Sequence, residues 1–169
     1  GISHVSPNPL VGCVIEHKGK IIGEGFHQLF GGAHAEVNAI ASVKDKEQLK
    51  QSTLYVNLEP CCHYGKTPPC CELIIKHQIP RVVIANKDPF EKVAGTGISN
   101  LQDAGVEVHI GLLKEEGSWL NRRFFHFHQE KMPYVILKWA QTADGFMDRD
   151  RSVNPKESYW ISSDLSKYI

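Results

Sequence analysis

The stretch TLYVNLEPCCHYGKTPPCC, residues 53–71, decides the reading of this chain. Its first six residues, Thr53 to Leu58, are apolar and β-branched enough to form a buried strand, which delivers the chain to Glu59-Pro60-Cys61. In open α/β sheets, ligand sites form beyond the carboxyl ends of strands. The segment beyond this strand is dense in chemistry, because Pro60 to Cys71 gathers thiols, an imidazole, a lysine and a tight-turn glycine into one short loop. Pro68-Pro69 then sets up a helix from Cys70 to His77, since proline is well tolerated in a first helical turn. A thiol at such a helix start has its pKa lowered, as a metal ligand needs, and that is expected of Cys70. Zinc takes a small set of sulfur and nitrogen ligands at tetrahedral corners, and a catalytic zinc keeps one corner for water. Cys61 and Cys70 offer two thiolates, and His34-Ala35-Glu36 upstream offers an imidazole beside a carboxylate.

Working outward, Val37, Ile40, Ala41 and Val43 recur at helical spacing and give way to Lys44-Asp45-Lys46-Glu47. That predicts a helix whose positive end lies beside His34 and Glu36. Val11–Glu16 and Lys20–Gly25 read as a hairpin around Lys18-Gly19, entered through Pro7-Asn8-Pro9, whose prolines favour extended backbone. Downstream, Arg81–Ala85 is a strand running into Asn86-Lys87-Asp88-Pro89, a glycine-rich link leads to a helix through Leu101, and Val106–Ile110 is a further strand. Strands alternating with helices indicate an α/β domain of three layers. Glu115–His128 has helical character with Trp119, Leu120 and Phe124 on one flank, and Tyr134–Ala140 reads as a new strand after Met132-Pro133.

The bulk properties narrow the function. Nineteen basic and nineteen acidic residues among 169 cancel, so the overall charge calls for no nucleic acid partner. No run is long and apolar enough to cross a bilayer, so no membrane partner is expected. Five cysteines, with Cys61-Cys62 and Cys70-Cys71 adjacent, suit a disulfide framework poorly and reduced thiols in a cytoplasmic protein better. Cys13 reads as a core residue, and Cys62 and Cys71 as small free thiols.

The H-x-E and Pro-Cys elements resemble the zinc nucleobase deaminases, in which a His and two Cys hold the metal and a Glu carries protons. Eight residues, not two, separate Cys61 from Cys70. That longer loop, Pro-Cys-x-His-x-Gly-x-Thr-Pro-Pro-Cys, resembles the deaminase half of the bifunctional deaminase-reductase of riboflavin biosynthesis. Ser6-Pro7-Asn8-Pro9-Leu10-Val11-Gly12, Lys87-Asp88-Pro89 with Val93-Ala94-Gly95, and Tyr134–Ala140 with Asp144-Gly145 extend the likeness over nearly the whole chain.

The resemblance implies a cytidine deaminase-like α/β/α domain with a mixed, mostly parallel sheet over residues 1–128, lacking the family's amino-terminal helix. Residues 129–169 are then a linker and the truncated start of a second α/β domain, the reductase. It implies one zinc per chain on His34, Cys61 and Cys70, with Glu36 as catalytic proton carrier. It also implies substrate contacts at Asn8, His63, Lys66, Thr67 and Asp88, while Phe90-Glu91 departs from the family's pattern and leaves Phe90 outside the expected site. The implied reaction is hydrolytic deamination of 2,5-diamino-6-(5-phosphoribosylamino)pyrimidin-4(3H)-one at ring carbon 2, with NADPH needed only by the reductase of the full-length parent. The exposed aromatics between Trp119 and Phe127 are compatible with a homo-oligomer. Competing readings are a cytidylate-type or transfer RNA adenosine deaminase, a non-catalytic zinc domain, and a structural zinc on four thiolates.

Overall fold

Among the described residues, alternating, β-branched segments become five strands in a single sheet: β1 (Gly12–His17), β2 (Lys20–Phe26), β3 (Thr53–Leu58), β4 (Arg81–Asn86) and β5 (Glu107–Ile110). The structure, a computed structural model, describes residues 4–62, 68–90, 95–139 and 141. The strands lie in the order β2-β1-β3-β4-β5, with β1 antiparallel to both neighbours and β3, β4 and β5 mutually parallel. Only β1 runs against the rest. The hairpin turns on Lys18 (φ 51°) and Gly19 (φ 77°), the left-handed pair that matches the twist of two-residue hairpin loops.

One face of the sheet is covered by α1 (Ala35–Ser42), α2 (Cys70–Lys76) and α3 (Thr96–Asp103). The core between them holds Ile15, Leu54, Val56, Val82 and Ile84 from the strands, with Ala39, Ile40, Ile74 and Leu101 from the helices. Each such Leu or Ile contributes roughly 1.5–3 kcal/mol when fully buried. On the other face α4 (Lys114–Leu120) packs on β3 and β4, which gives the third layer, and α5 (Arg122–Glu130) follows it. Helix α1 lies directly on β2 because Gly25 has no side chain. A Cβ there would fall 2.3 Å from the Ala39 nitrogen and 2.7 Å from the Ala35 oxygen. At its far end, the Lys46 ammonium donates to the carbonyls of Ile40, Ala41 and Val43, satisfying acceptors that the last turn leaves open.

Three expectations need correction. The predicted single helix 115–128 is two helices, broken at Asn121 (φ −106°, ψ 25°). Asn121 is buried and its amide imitates a strand neighbour, with Leu10 N–H donating to Oδ1 at 2.7 Å and Nδ2 donating to Leu10 C=O at 2.9 Å. Before β1, Pro7-Asn8 is part of a turn and not extended backbone: the Asn8 N–H donates to the Val5 carbonyl at 2.8 Å, and the Ser6–Pro7 peptide is cis. The strand expected from Tyr134 to Ala140 does not form over its described part, residues 134–139, and no strand among the described residues pairs with it.

The chain divides into two compact units, Gly1–Tyr134 and Val135–Ile169. In the second, the described side chains are exposed, and Trp139 Nε1 donates to Gln141 Oε1 at 3.0 Å. Among the described residues no helix is long and apolar enough to cross a membrane.

Candidate active site

The parallel strands β3 and β4 end side by side, Leu58 opposite Asn86, and the Glu59 N–H continues the ladder to the Asn86 carbonyl at 3.0 Å. Just past this edge the start of α1 and the start of α2 converge. His34 is the N-cap of α1, Cys70 opens α2, and Cys61 follows β3. His34 Nδ1 lies 3.4 Å from Cys61 Sγ and 3.4 Å from Cys70 Sγ. Among the described residues these three form a group whose donor atoms all lie within 4.8 Å of one another. Zinc–sulfur and zinc–nitrogen bonds of their usual lengths put neighbouring corners of a tetrahedron roughly 3.5–3.8 Å apart. The donor set and its spacing therefore fit zinc.

The thiols share charge unequally. Cys61 is lowered to about 4, first by a hydrogen bond with the Cys70 thiol and further by His34 and by the Cys70 backbone N–H, which lies 3.4 Å from its sulfur. Cys70 is driven far up, first by that same bond to Cys61 and then by burial. The expectation that the helix start would lower Cys70 is not met in the metal-free site, because the Cys70 thiol is the donor to Cys61 and is buried, and the first amide of α2 lies against the Cys61 sulfur. His34 is raised, chiefly through its hydrogen bond with Cys61. A bound cation would take the place of the proton held among these groups.

Glu36, in the first turn of α1, is buried and lies beside this cluster. Burial lifts its carboxyl to about 7, with the charge of Cys61 adding to the rise. A carboxyl poised near neutrality can both take and give a proton.

Glu36 faces a cavity of about 310 Å³ whose lining also includes His34, Cys61, Asn8, His27, Asp88, Phe90, Phe124 and His128. The expected residues Asn8 and Asp88 are therefore brought to the metal cluster, whereas His63, Lys66 and Thr67 lie outside the described residues. Asn8 Nδ2 donates to His27 Nε2 at 3.2 Å, and His27 Nδ1 donates to the Ala33 carbonyl at 3.0 Å, which sets both the amide orientation and the tautomer. His27 also meets the His34 ring edge to face at 5.6 Å. The loop carrying Asn8 is fixed by Asn121 at Leu10 and by Asn57, whose Oδ1 accepts from Gly12 N–H at 2.8 Å and whose Nδ2 donates to Leu10 C=O at 2.8 Å.

Phe90 belongs to the cavity wall after all, since its ring meets His128 at 5.5 Å and His128 meets Phe124 at 4.5 Å. As site residues, His27, Phe124 and His128 are not singled out by the sequence. His128 and Phe124, on α5, share one helical face at i, i+4, and that spacing is the available signal.

Cys62 and Cys71 are not free thiols but a disulfide. Their preceding neighbours converge on one metal position, and this brings the two backbones together with Cα atoms 5.4 Å apart. The sulfurs that a four-thiolate site would need are thereby consumed, and Cys13, Cys61 and Cys70 remain free. Cys13 is buried in the core, as expected.

Residues 3–86 match the model of the cytidine and deoxycytidylate deaminase zinc-binding region. The riboflavin biosynthesis protein RibD of Actinobacillus pleuropneumoniae is 49% identical over 167 residues, covering 99% of this chain and 43% of that protein. Among solved structures, Acinetobacter baumannii RibD, form 1, superposes with a TM-score of 0.89 at 42% identity, over 99% of this chain and 45% of that one. A diaminohydroxyphosphoribosylaminopyrimidine deaminase/5-amino-6-(5-phosphoribosylamino)uracil reductase from Thermotoga maritima gives a TM-score of 0.84 at 43% identity, over 98% and 46% of the two chains. The chain spans less than half the length of these relatives.

Proposed function

The chain belongs to the cytidine and deoxycytidylate deaminase family, on the branch of the riboflavin biosynthesis protein RibD, and from that membership we propose that it is the hydrolytic deaminase of the riboflavin pathway. In this reading it converts 2,5-diamino-6-(5-phosphoribosylamino)pyrimidin-4(3H)-one to 5-amino-6-(5-phosphoribosylamino)uracil and ammonia. The observation that carries the reading is Glu36, a buried carboxyl near neutral pKa that shares a cavity wall with a histidine and a cysteine of a His-Cys-Cys zinc cluster. A zinc site that only stabilised the fold would have no use for it.

Zinc, when held by His34, Cys61 and Cys70, supplies a water whose pKa is far below that of bulk water. Glu36 would take a proton from that water and give it to a ring nitrogen, and would then take the second proton from the oxygen added to the ring carbon and give it to the departing ammonia. Asn8, oriented by His27, presents a polar edge to the pyrimidine. Asp88 is proposed to receive ribose hydroxyls, and Lys66, with His63 and Thr67, to meet the sugar phosphate.

Residues 1–128 are proposed as the deaminase domain and 129–169 as a linker with the beginning of a reductase domain. NADPH is assigned only to full-length proteins that carry that reductase. A cytoplasmic location is proposed from membership in the riboflavin branch, with the Cys62–Cys71 disulfide an exception to the reduced state usual for thiols there, and a homo-oligomer is compatible with the exposed Trp119 and Phe127.

The test is ammonia release by the zinc-loaded chain from this phosphoribosylamino substrate, run in parallel with cytidine monophosphate. Release from the first alone is expected. Release from cytidine monophosphate alone would move the chain to the cytidylate-type branch, and release from neither by folded, zinc-loaded protein would overturn the enzymatic reading.

A further inference from the structure

Glu59 is 4% exposed, sits two residues before the ligand Cys61, and has no part in the mechanism above. A carboxylate offers about four acceptor positions, and here all of them are used by backbone amides. Oε2 accepts from Asp88 N–H at 3.1 Å and from Gly95 N–H at 3.1 Å. Oε1 accepts from Gly97 N–H at 3.0 Å and from Ile98 N–H at 3.2 Å. The partners are not scattered. Asp88 begins the cavity wall that includes Phe90, and Gly95 to Ile98 is the start of α3, so one side chain ties that wall to a helix terminus and both to the end of β3.

The neighbourhood is built around this contact. A Cβ on Gly97 would fall 2.2 Å from the Pro60 carbonyl and 3.1 Å from Glu59 Oε1, so only glycine lets α3 come close enough for its first amides to reach the carboxylate. The backbone of Glu59 is itself held by the Asn86 carbonyl at 3.0 Å, which stops its side chain from moving with the loop.

We infer that Glu59 is the positioning residue that sets where Asp88 and Phe90 stand relative to the metal cluster, and so fixes the sugar-binding wall of the cavity. Glu59 also reaches the cavity lining, but its acceptor positions are taken up by the four backbone amides, so it acts through Asp88. The inference rests on the deaminase reading for its substrate, but its geometric half does not.

An amide side chain exposes the design. Glu59→Gln keeps shape and volume, yet it has one carbonyl oxygen and one NH2, and the NH2 would face two N–H donors. One pair of backbone bonds is therefore lost whichever way the amide turns. Glu59→Ala loses both pairs.

The experiment joins amide hydrogen exchange with kinetics on the zinc-loaded chain. In the unaltered protein the amides of Asp88, Gly95, Gly97 and Ile98 should exchange slowly. In Glu59→Gln one pair should exchange about tenfold faster or more, and in Glu59→Ala all four should. KM for the phosphoribosylamino substrate should rise about tenfold in Glu59→Gln, with kcat and zinc content carrying little of the loss. Loop-like exchange at Asp88 and Gly95 in the unaltered chain would overturn the inference without any variant. Lost protection with an unchanged KM would also overturn it, because Glu59 would then hold the fold and not the substrate wall. If the unaltered chain releases no ammonia at all, the deaminase reading fails, while slow exchange that is lost in the variants would still support the geometric half of the inference and fast exchange in the unaltered chain would overturn it.

Discussion

Replacing Glu36 by glutamine separates chemistry from stability in a single side chain. Burial raises the Glu36 carboxyl from its ordinary 4.5 to about 7, and at about 1.4 kcal/mol per pH unit that rise corresponds to about 3 kcal/mol between the two protonation states. The sign follows from the folded value lying above the unfolded one. The folded chain then binds more protons between the two values, so this contribution is complete below about pH 4.5 and is lost as pH rises through about 7. Glutamine is neutral throughout. Metal-free Glu36→Gln should therefore match the parent near pH 4.5 and exceed it by about 3 kcal/mol above pH 7, while the Cys61 thiolate, common to both proteins, largely cancels. With a slope of about 2 kcal/mol per molar urea, the midpoint at pH 8 should move up by about 1.5 M. The zinc-loaded variant should keep its metal, because Glu36 is not among the converging donors, and should lose turnover by about 10²–10⁴-fold. A metal-free variant less stable than the parent at pH 8 would refute the desolvated carboxyl, and near-normal ammonia release would remove Glu36 from the mechanism.

Two further outcomes concern the metal cluster. Alanine at His34, Cys61 or Cys70 should each weaken zinc binding by more than about 100-fold, since losses of that order already result from disturbing groups behind the ligands; competition against a chromophoric chelator measures it, and stoichiometric zinc at unchanged affinity in any of the three would break the assignment. Serine at both Cys62 and Cys71 should leave one zinc per chain and cost about 2–3 kcal/mol, as expected for releasing a short cross-linked loop, while thiol titration of the unreduced, denatured parent should find three of its five cysteines free.

The features legible in the sequence are those that depend on local order. Thr53–Leu58 emerges as a strand with the predicted bounds because its composition decides it without help from neighbours. The cluster of His34, Cys61 and Cys70 is legible through the resemblance of the loop to the deaminase zinc motif, whose register picks Cys61 and Cys70 over their neighbours. The features that the sequence hides are relations between segments. Cys62 and Cys71 become partners only once their neighbours share a metal position, and Cys61, not Cys70, carries the lowered thiol because the Cys70 thiol donates to it, with His34 and the first amide of α2 adding to the effect. Asn121 looks like any polar residue inside a helical pattern, and it ends a helix because Leu10, far away in sequence, offers both an amide and a carbonyl to its side chain. His27 and Glu59 belong to the same class, polar side chains whose partners are backbone groups or amides brought in by the fold. For Glu59 there is nevertheless a usable signal. An acidic residue at the buried end of a central strand, directly before Pro-Cys, must find donors or pay for its desolvation, and the glycines at 95 and 97 are the residues that let donors approach.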